Sequence, residues 1–189
     1  MVRLNYYKDS WPLKPAMCPC DVHFCDYLDS RGIEDKALFH FGTGAHHLVG
    51  LRNVSRPVPN HILGVTASPR EHERYIRQVI KNPGLAKNYK VMFLDIYTLN
   101  ARMLPNFDLV SLFHLAEFYH PVELAYAPLD DRKLLELFLA KLNPNGQLAF
   151  YSGSDGWKKT EEILAEFERD KKIALVEKYK SLMFFSPAP

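Results

Sequence analysis

The 189-residue sequence lacks the features that mark several large protein classes. Its three cysteines, Cys18, Cys20 and Cys25, are an odd number within eight residues and do not form a disulfide framework. No apolar run approaches the ~20 residues of a membrane span, and the first residues lack the hydrophobic core of a signal peptide. We therefore expect a cytoplasmic protein with no membrane partner.

A large excess of charge of one sign is also missing. The chain has 24 Lys and Arg against 22 Asp and Glu, a net charge of +2, so composition does not indicate a nucleic-acid surface. The length suits one domain with a full core. We expect residues 1–20, which contain Trp11, to form an arm lying on a single α/β domain of residues 21–189.

The cysteines lie in the segment C-P-C-D-V-H-F-C, where His23 invites a zinc hypothesis. Structural zinc sites usually draw on two separated ligand pairs, and no second cysteine pair exists downstream. The alternative is a helix over Asp21–Ser30 that buries Cys25. We expect this helix and no bound metal.

Apolar runs alternate with helical patterns along the rest of the chain. Predicted strands are Ala37–Phe41, Asn60–Thr66, Tyr89–Leu94, Phe107–Phe113, Gln147–Ser152, Ile173–Tyr179 and Leu182–Phe185. Predicted helices between and around them are Asp21–Ser30, Ala45–Asn53, Arg132–Leu142 and Lys158–Asp170. This alternation predicts a doubly wound, mostly parallel seven-stranded sheet whose last two strands form an antiparallel hairpin.

Two local motifs set helix boundaries. Ser68, Pro69 and Glu71 predict a helix start with a capping box, in which Ser68 caps and Glu71 reaches back to the cap. The segment Asn143–Gly146 predicts the end of the helix before the fifth strand.

The first strand stops at Gly42 and Gly44, and a helical segment follows. Glycine permits positive φ and lets a ligand approach the bare backbone. Free N–H groups at the start of the following helix face polar ligand atoms. This turn therefore predicts a ligand pocket.

These motifs resemble those of the class I S-adenosylmethionine-dependent methyltransferases. The matching segments are GTG at Gly42–Gly44, GVTASP at Gly64–Pro69, LDIYTL at Leu94–Leu99, FDLVSLFHL at Phe107–Leu115 and LAKLNPNGQLAFYS at Leu139–Ser152. The resemblance implies a Rossmann-like methyltransferase fold, S-adenosylmethionine as the cofactor, and methyl transfer to a small molecule.

The resemblance also assigns cofactor contacts, residue by residue. They fall on His40, Gly42, Thr43, Gly44, His46, Thr66, Asp95 and Ile96. Asp95 keeps the acid that the family uses for the adenine amino group. His40 and Thr66 stand where the family usually has acids, and His46 stands where it has a third glycine. A hydroxyl in place of a carboxylate at the ribose predicts weak binding.

Neighbouring histidines follow the glycine turn. Adjacent helical residues point about 100° apart, so we do not expect His46 and His47 to serve one ligand together. We expect at least one at the pocket; the alternative is that one packs and the other faces solvent.

A second polar group follows the fourth strand. His114, Glu117 and His120 are spaced by three and share a face if the segment is helical. Such a set can deprotonate a hydroxyl or amine, or bind a divalent metal. The alternative is a solvated loop.

Two other functions stay open. The missing acids fit a non-catalytic binding or scaffold domain of the same fold, or a different enzyme that holds another adenosine-containing ligand. Thermal stabilisation by S-adenosylhomocysteine distinguishes the scaffold from the methyltransferase.

Overall fold

A computed structural model describes residues 8–119 and 126–188. Its helices are Cys20–Ser30 (α1), Leu48–Val54 (α2), Pro69–Lys81 (α3), Leu85–Asn88 (α4), Asp131–Leu139 (α5) and Trp157–Arg169 (α6). Its strands are Ala37–Phe41 (β1), His61–Thr66 (β2), Tyr89–Phe93 (β3), Phe107–Ser111 (β4), Leu142–Tyr151 (β5), Ile173–Tyr179 (β6) and Leu182–Pro187 (β7). The sheet order is β3-β2-β1-β4-β5-β7-β6, which confirms the predicted seven-stranded fold with its terminal hairpin. The chain divides into two compact units, Met1–Ile96 and Tyr97–Pro189.

In the first unit, β1 and β3 both pair with β2 in parallel. Leu38 lies opposite Ile62, and Val65 lies opposite Met92. β1 and β2 read as nearly continuous apolar runs because most of their residues are buried, as in parallel sheets generally, whereas β3 exposes Lys90 and Phe93. The pairing brings the three strand ends of the first unit to the same edge.

The helix after β1 begins later than predicted, at Leu48 instead of Ala45. His47 precedes it with φ of 48°, and this left-handed conformation interrupts the helical backbone. Three residues after His47, Gly50 faces the ring of Tyr89 so closely that an added Cβ would lie 2.2 Å from Cε1. The bare glycine therefore sets how near α2 lies to β3.

The capping box predicted at the start of α3 does not form. Ser68 is the N-cap residue, but its side chain makes no capping hydrogen bond; its hydroxyl donates to the Asp9 carbonyl at 2.6 Å. The Ser68 N–H donates to Thr66 Oγ1 at 3.1 Å instead of to Glu71. The Glu71 carboxylate is thereby left for other partners.

In the second unit, β4 runs parallel to β5, and β7 is antiparallel to both β5 and β6. The helix α5 ends at Leu139, and the segment Asn143–Gly146 lies within β5 instead of ending a helix. The register shifts there between Phe107 and Leu109, and Asn145 has φ of 65°. The extra residues of β5 at this point form a β-bulge, which locally interrupts the pairing with β4.

The longest helices in the described parts of the chain, α3 and α6, have 13 residues each. None of the described helices is both long and apolar enough to span a bilayer.

We expect Gly50→Ala to destabilise the fold. Alanine favours a helix over glycine by about 1 kcal/mol, but the Tyr89 ring cannot withdraw because it is fully buried and its hydroxyl bonds His47. The net loss should be about 2 kcal/mol of unfolding free energy, measured by urea denaturation.

Gly84→Ala is the matched control for this methyl group. Gly84 has φ of –60°, and an added Cβ would meet only the Asn82 side chain, at 3.3 Å. Its unfolding free energy should stay within about 0.5 kcal/mol of the parent. Equal losses in the two variants would contradict the close approach of α2 to Tyr89.

Candidate functional site

The predicted glycine turn forms at the end of β1. Gly42 and Gly44 have φ of 83° and 56°, which glycine alone adopts freely. The ring of His46 lies over Gly44, since a Cβ added there would be 2.4 Å from Nε2. Nδ1 of His46 accepts the Leu48 N–H at 3.1 Å, and burial lowers the pKa of this imidazole. His46 therefore lies on the turn, where the family has a bare glycine.

His47 belongs to the core. Its Nε2 lies 2.9 Å from the Glu71 carbonyl, which can only accept, so Nε2 carries the proton. Nδ1 then accepts the Tyr89 hydroxyl, also at 2.9 Å. Burial lowers the pKa of His47 to about 4, against a smaller opposing effect of the Glu71 hydrogen bond. Of the two histidines, only His46 is available to a ligand at the turn.

Sequence reasoning missed an acid beside the turn. Asp21, on α1, is buried, and its carboxylate oxygens lie 3.7 Å from His40 Nε2 and 3.8 Å from His46 Nε2. His40 is also buried, and its ring stacks on Phe24. A carboxylate from a neighbouring helix therefore lies beside His40. The sequence indicated Asp21 only as an acidic residue in the first turn of a predicted helix.

A second buried acid, Glu71, lies beside the end of β2. Thr66 is buried, and its hydroxyl donates to Glu71 Oε2 at 2.7 Å. Glu71 is itself buried on the first turn of α3. Glu71, five residues later, therefore places a carboxylate beside the Thr66 hydroxyl. Its assignment to a capping box concealed this role.

The third strand end keeps its acid. Asp95 follows β3 and is nearly buried, and Ile96, buried too, begins a short 3-10 turn. The Leu94 N–H donates to the Thr66 carbonyl at 3.1 Å, which extends the strand pairing up to Asp95. Carboxylates thus stand beside all three strand ends of the first unit.

The arm lies against these same groups. The Trp11 N–H donates to Glu71 Oε1 at 3.0 Å, and the Trp11 carbonyl accepts the Ala45 N–H at 2.8 Å. Asp9 is held by Ser68, as described above. The backbone of Trp11 thus makes one donor contact at the end of β2 and one acceptor contact at the glycine turn. These contacts hold the arm against the first unit, beside the predicted pocket.

One polar atom at the turn is unsatisfied. Thr43 is 1% exposed, and its hydroxyl has no hydrogen-bond partner among the residues that the structure describes. An unpaired buried hydroxyl costs about 1–3 kcal/mol. Such an atom between two turn glycines is a candidate ligand contact.

In the second unit, His114 and Glu117 lie in a turn after β4 and not in a helix. They nevertheless meet: His114 Nδ1 is 3.0 Å from Glu117 Oε1, which also accepts the Ser154 hydroxyl. Burial raises the pKa of Glu117, but the His114 and Ser154 hydrogen bonds outweigh it and hold the pKa below its usual value. The third predicted member, His120, lies outside the described residues.

The cysteines of the first unit are close but not bridged. Cys18 Sγ and Cys20 Sγ are 3.3 Å apart, and Cys25 is a free thiol on α1. Hydrogen bonding to Cys18, followed by burial, raises the pKa of Cys20, and burial raises the pKa of Cys25 to about 12. The absence of zinc stays a prediction.

The buried His47 makes stability depend on pH. Its pKa of about 4 in the fold lies below the ~6.5 of an unfolded histidine, so the unfolded chain takes up the proton first as pH falls. The free energy of unfolding should therefore fall by up to about 3 kcal/mol as the pH is lowered from about 6.5 to about 4. Urea denaturation across this range measures the slope.

His47→Asn should flatten that slope, since asparagine tolerates positive φ but does not titrate. His61→Asn, which removes an exposed imidazole, should keep it. A parental slope in the His47 variant would show that the titration lies elsewhere.

Comparisons with known proteins bear on the fold. No protein-family model matches the chain, and a search of curated proteins found no match. Solved structures do match. Magnesium protoporphyrin IX methyltransferase from Synechocystis with bound S-adenosylmethionine has a TM-score of 0.61 at 11% identity, over 90% of this chain and 79% of the other.

Two more structures agree. A Podospora anserina methyltransferase bound to S-adenosylhomocysteine gives a TM-score of 0.64 at 11% identity, over 89% of this chain and 78% of the other. A ribosomal protein methylase from Lactobacillus delbrueckii gives 0.60 at 18% identity, over 100% and 86%. At these identities the likeness concerns the fold: the chain has the fold of the class I S-adenosylmethionine-dependent methyltransferases.

Proposed function

We propose that this protein binds S-adenosylmethionine at the strand ends of the first unit and methylates a small molecule. One observation carries the proposal: the carboxylates of Asp21, Glu71 and Asp95 stand beside the ends of β1, β2 and β3. Two of them replace the acids that His40 and Thr66 have lost. The residues are different, but the chemistry of the site is kept.

The groups fit the cofactor. Its ammonium, its ribose diol and its adenine amino group are donors, and ionised carboxylates accept such donors in the strongest kind of hydrogen bond. Asp21 would face the ammonium, Glu71 the ribose and Asp95 the adenine. Thr43 offers its unpaired hydroxyl at the turn between them. Solved structures of this fold that hold S-adenosylmethionine or S-adenosylhomocysteine support the assignment.

S-Adenosylmethionine supplies a methyl group already activated by a sulfonium, so positioning can provide most of the rate. In the second unit, the hydrogen bond to Glu117 orients the His114 ring and favours the neutral tautomer with its proton on Nδ1. The other nitrogen then has a lone pair that can accept a proton. Ser154 fixes the Glu117 carboxylate in turn.

The arm limits binding. The Trp11 backbone uses one oxygen of Glu71 and the Ala45 N–H, both of which the cofactor would approach. Binding then requires the arm to withdraw, and the apparent affinity falls by the fraction of molecules in which it has done so.

The same contacts favour a second candidate, a non-catalytic binding domain. In that case the arm permanently occupies the pocket, and its two Trp11 hydrogen bonds replace those of a ligand. A different adenosine-containing ligand is the third alternative.

Titration with S-adenosylhomocysteine, followed by calorimetry, tests the pocket. Thr43→Val removes an unpaired hydroxyl, so it should weaken binding about tenfold without loss of stability. Thr160→Val is the matched control, because its buried hydroxyl donates to the Leu115 carbonyl at 2.9 Å. It should cost about 1–2 kcal/mol of stability and leave affinity unchanged.

No binding by the parent at millimolar ligand, together with none after removal of the arm, would refute the cofactor assignment. Unchanged affinity in Thr43→Val would show that the turn does not contact the ligand.

A second comparison tests whether the arm blocks the pocket. Deleting residues 1–12 removes the Trp11 backbone, and affinity for S-adenosylhomocysteine should rise at least about tenfold. Trp11→Ala is the control: it removes a half-exposed side chain but keeps both backbone hydrogen bonds, so affinity should stay at the parental value. Equal affinity in the deletion variant would show that the arm does not block the pocket.

A further inference from the structure

The exposed side of α3 carries a row of cations. Arg70, Arg74, Arg77 and Lys81 follow one another at intervals of four, three and four residues. This spacing puts them on one face of the helix, along about 16 Å. Together with Ser10 and Ala45 they line a groove of about 580 Å³, which also includes Glu73 and Gln78.

Most of this charge has no counter-ion. Arg77 pairs with Glu73 at 2.7 Å, whereas Arg70, Arg74 and Lys81 form no ion pair within residues 8–119 and 126–188. Like charges four residues apart destabilise a helix, and a cation near its first turn opposes the helix dipole. Helix stability therefore does not account for the row.

The groove adjoins the glycine turn. Ala45, whose N–H bonds the arm, forms part of its wall, and Ser10 of the arm forms another part. Burial is the main cause of the lowered pKa of His46 and of His47. The nearby charge of Arg74 makes a lesser contribution in the same direction to both.

We propose that this groove binds a small molecule carrying two or more phosphate groups, held by Arg70, Arg74 and Lys81. Guanidinium groups bind phosphate in a bidentate way, and three unpaired cations match a polyanion. The volume lies within the range of small-molecule sites. The site does not depend on methyl transfer; that its ligand is the methyl acceptor would rest on the function proposed above.

The lining disfavours nucleic acid. It contains no aromatic side chain among the described residues, and single strands usually bind by stacking on such rings. The chain as a whole carries a net charge of only +2.

Inorganic tripolyphosphate is the probe. The parent should bind it in calorimetry, and the double variant Arg70→Gln/Arg74→Gln should bind at least about tenfold more weakly. The double variant Lys87→Gln/Lys90→Gln removes the same charge from exposed positions outside the groove, and its affinity should stay within about twofold of the parent. Thermal melting verifies that each variant is folded.

A second measurement needs no variant. Phenylglyoxal modifies accessible guanidinium groups, and peptide mass spectrometry locates the products. Tripolyphosphate should protect Arg70 and Arg74 and leave Arg102, which lies outside the groove, unprotected.

Absence of binding, equal weakening in both double variants, or protection of Arg102 to the same degree would overturn the proposal. Tighter binding of a single-stranded RNA of about 12 nucleotides, lost in the groove variant, would overturn it in favour of a nucleic-acid surface. Failure to bind S-adenosylhomocysteine would refute the proposed function but leave this site intact.

Discussion

The buried carboxylate of Glu71 is the constraint on which the first unit depends. Taking an ionised carboxylate out of water costs several kcal/mol unless its oxygens accept hydrogen bonds. Thr66 and the Trp11 backbone supply those bonds, which fixes the end of β2 and the arm around one residue. The carbonyl of the same residue holds His47, whose ring accepts the Tyr89 hydroxyl. One side of α3 thus sets the positions of the turn, the third strand and the arm.

β1, β2 and β4 could be predicted because they are parallel strands with mostly buried residues, and continuous apolar runs satisfy that environment. The starts of helices were harder to predict, because each depends on the backbone conformation of a single residue. The left-handed φ of His47 delays α2, and no local pattern distinguishes it from an ordinary helical histidine. The turn residues at Asn143–Gly146 predicted the end of a helix, which was wrong: the segment lies in β5, where the pairing register shifts.

The parts of the candidate site that directly follow a strand in the sequence could be predicted. The parts that come from separate helices could not. The two turn glycines and Asp95 follow their strands directly. Asp21 and Glu71 come from helices, and their sequence contexts equally fit a first-turn acid and a cap. The motif positions at His40 and Thr66 hold no acid, but Asp21 and Glu71 place carboxylates beside those two residues. The His114–Glu117 contact was predicted for a helix and occurs in a turn, because Ala116 with φ of 67° breaks the helical path.

The arm has a consequence for how the chain is made. Trp11 leaves the ribosome 60 residues ahead of Glu71, so its partner does not exist while it is being synthesised. Closing a span of that length costs about 4 kcal/mol of chain entropy before either hydrogen bond forms. The arm must therefore join late, after α3 has emerged and packed, and until then the glycine turn is open to solvent. The contact of the arm with the glycine turn and with Glu71 is therefore one of the later contacts of the first unit to form.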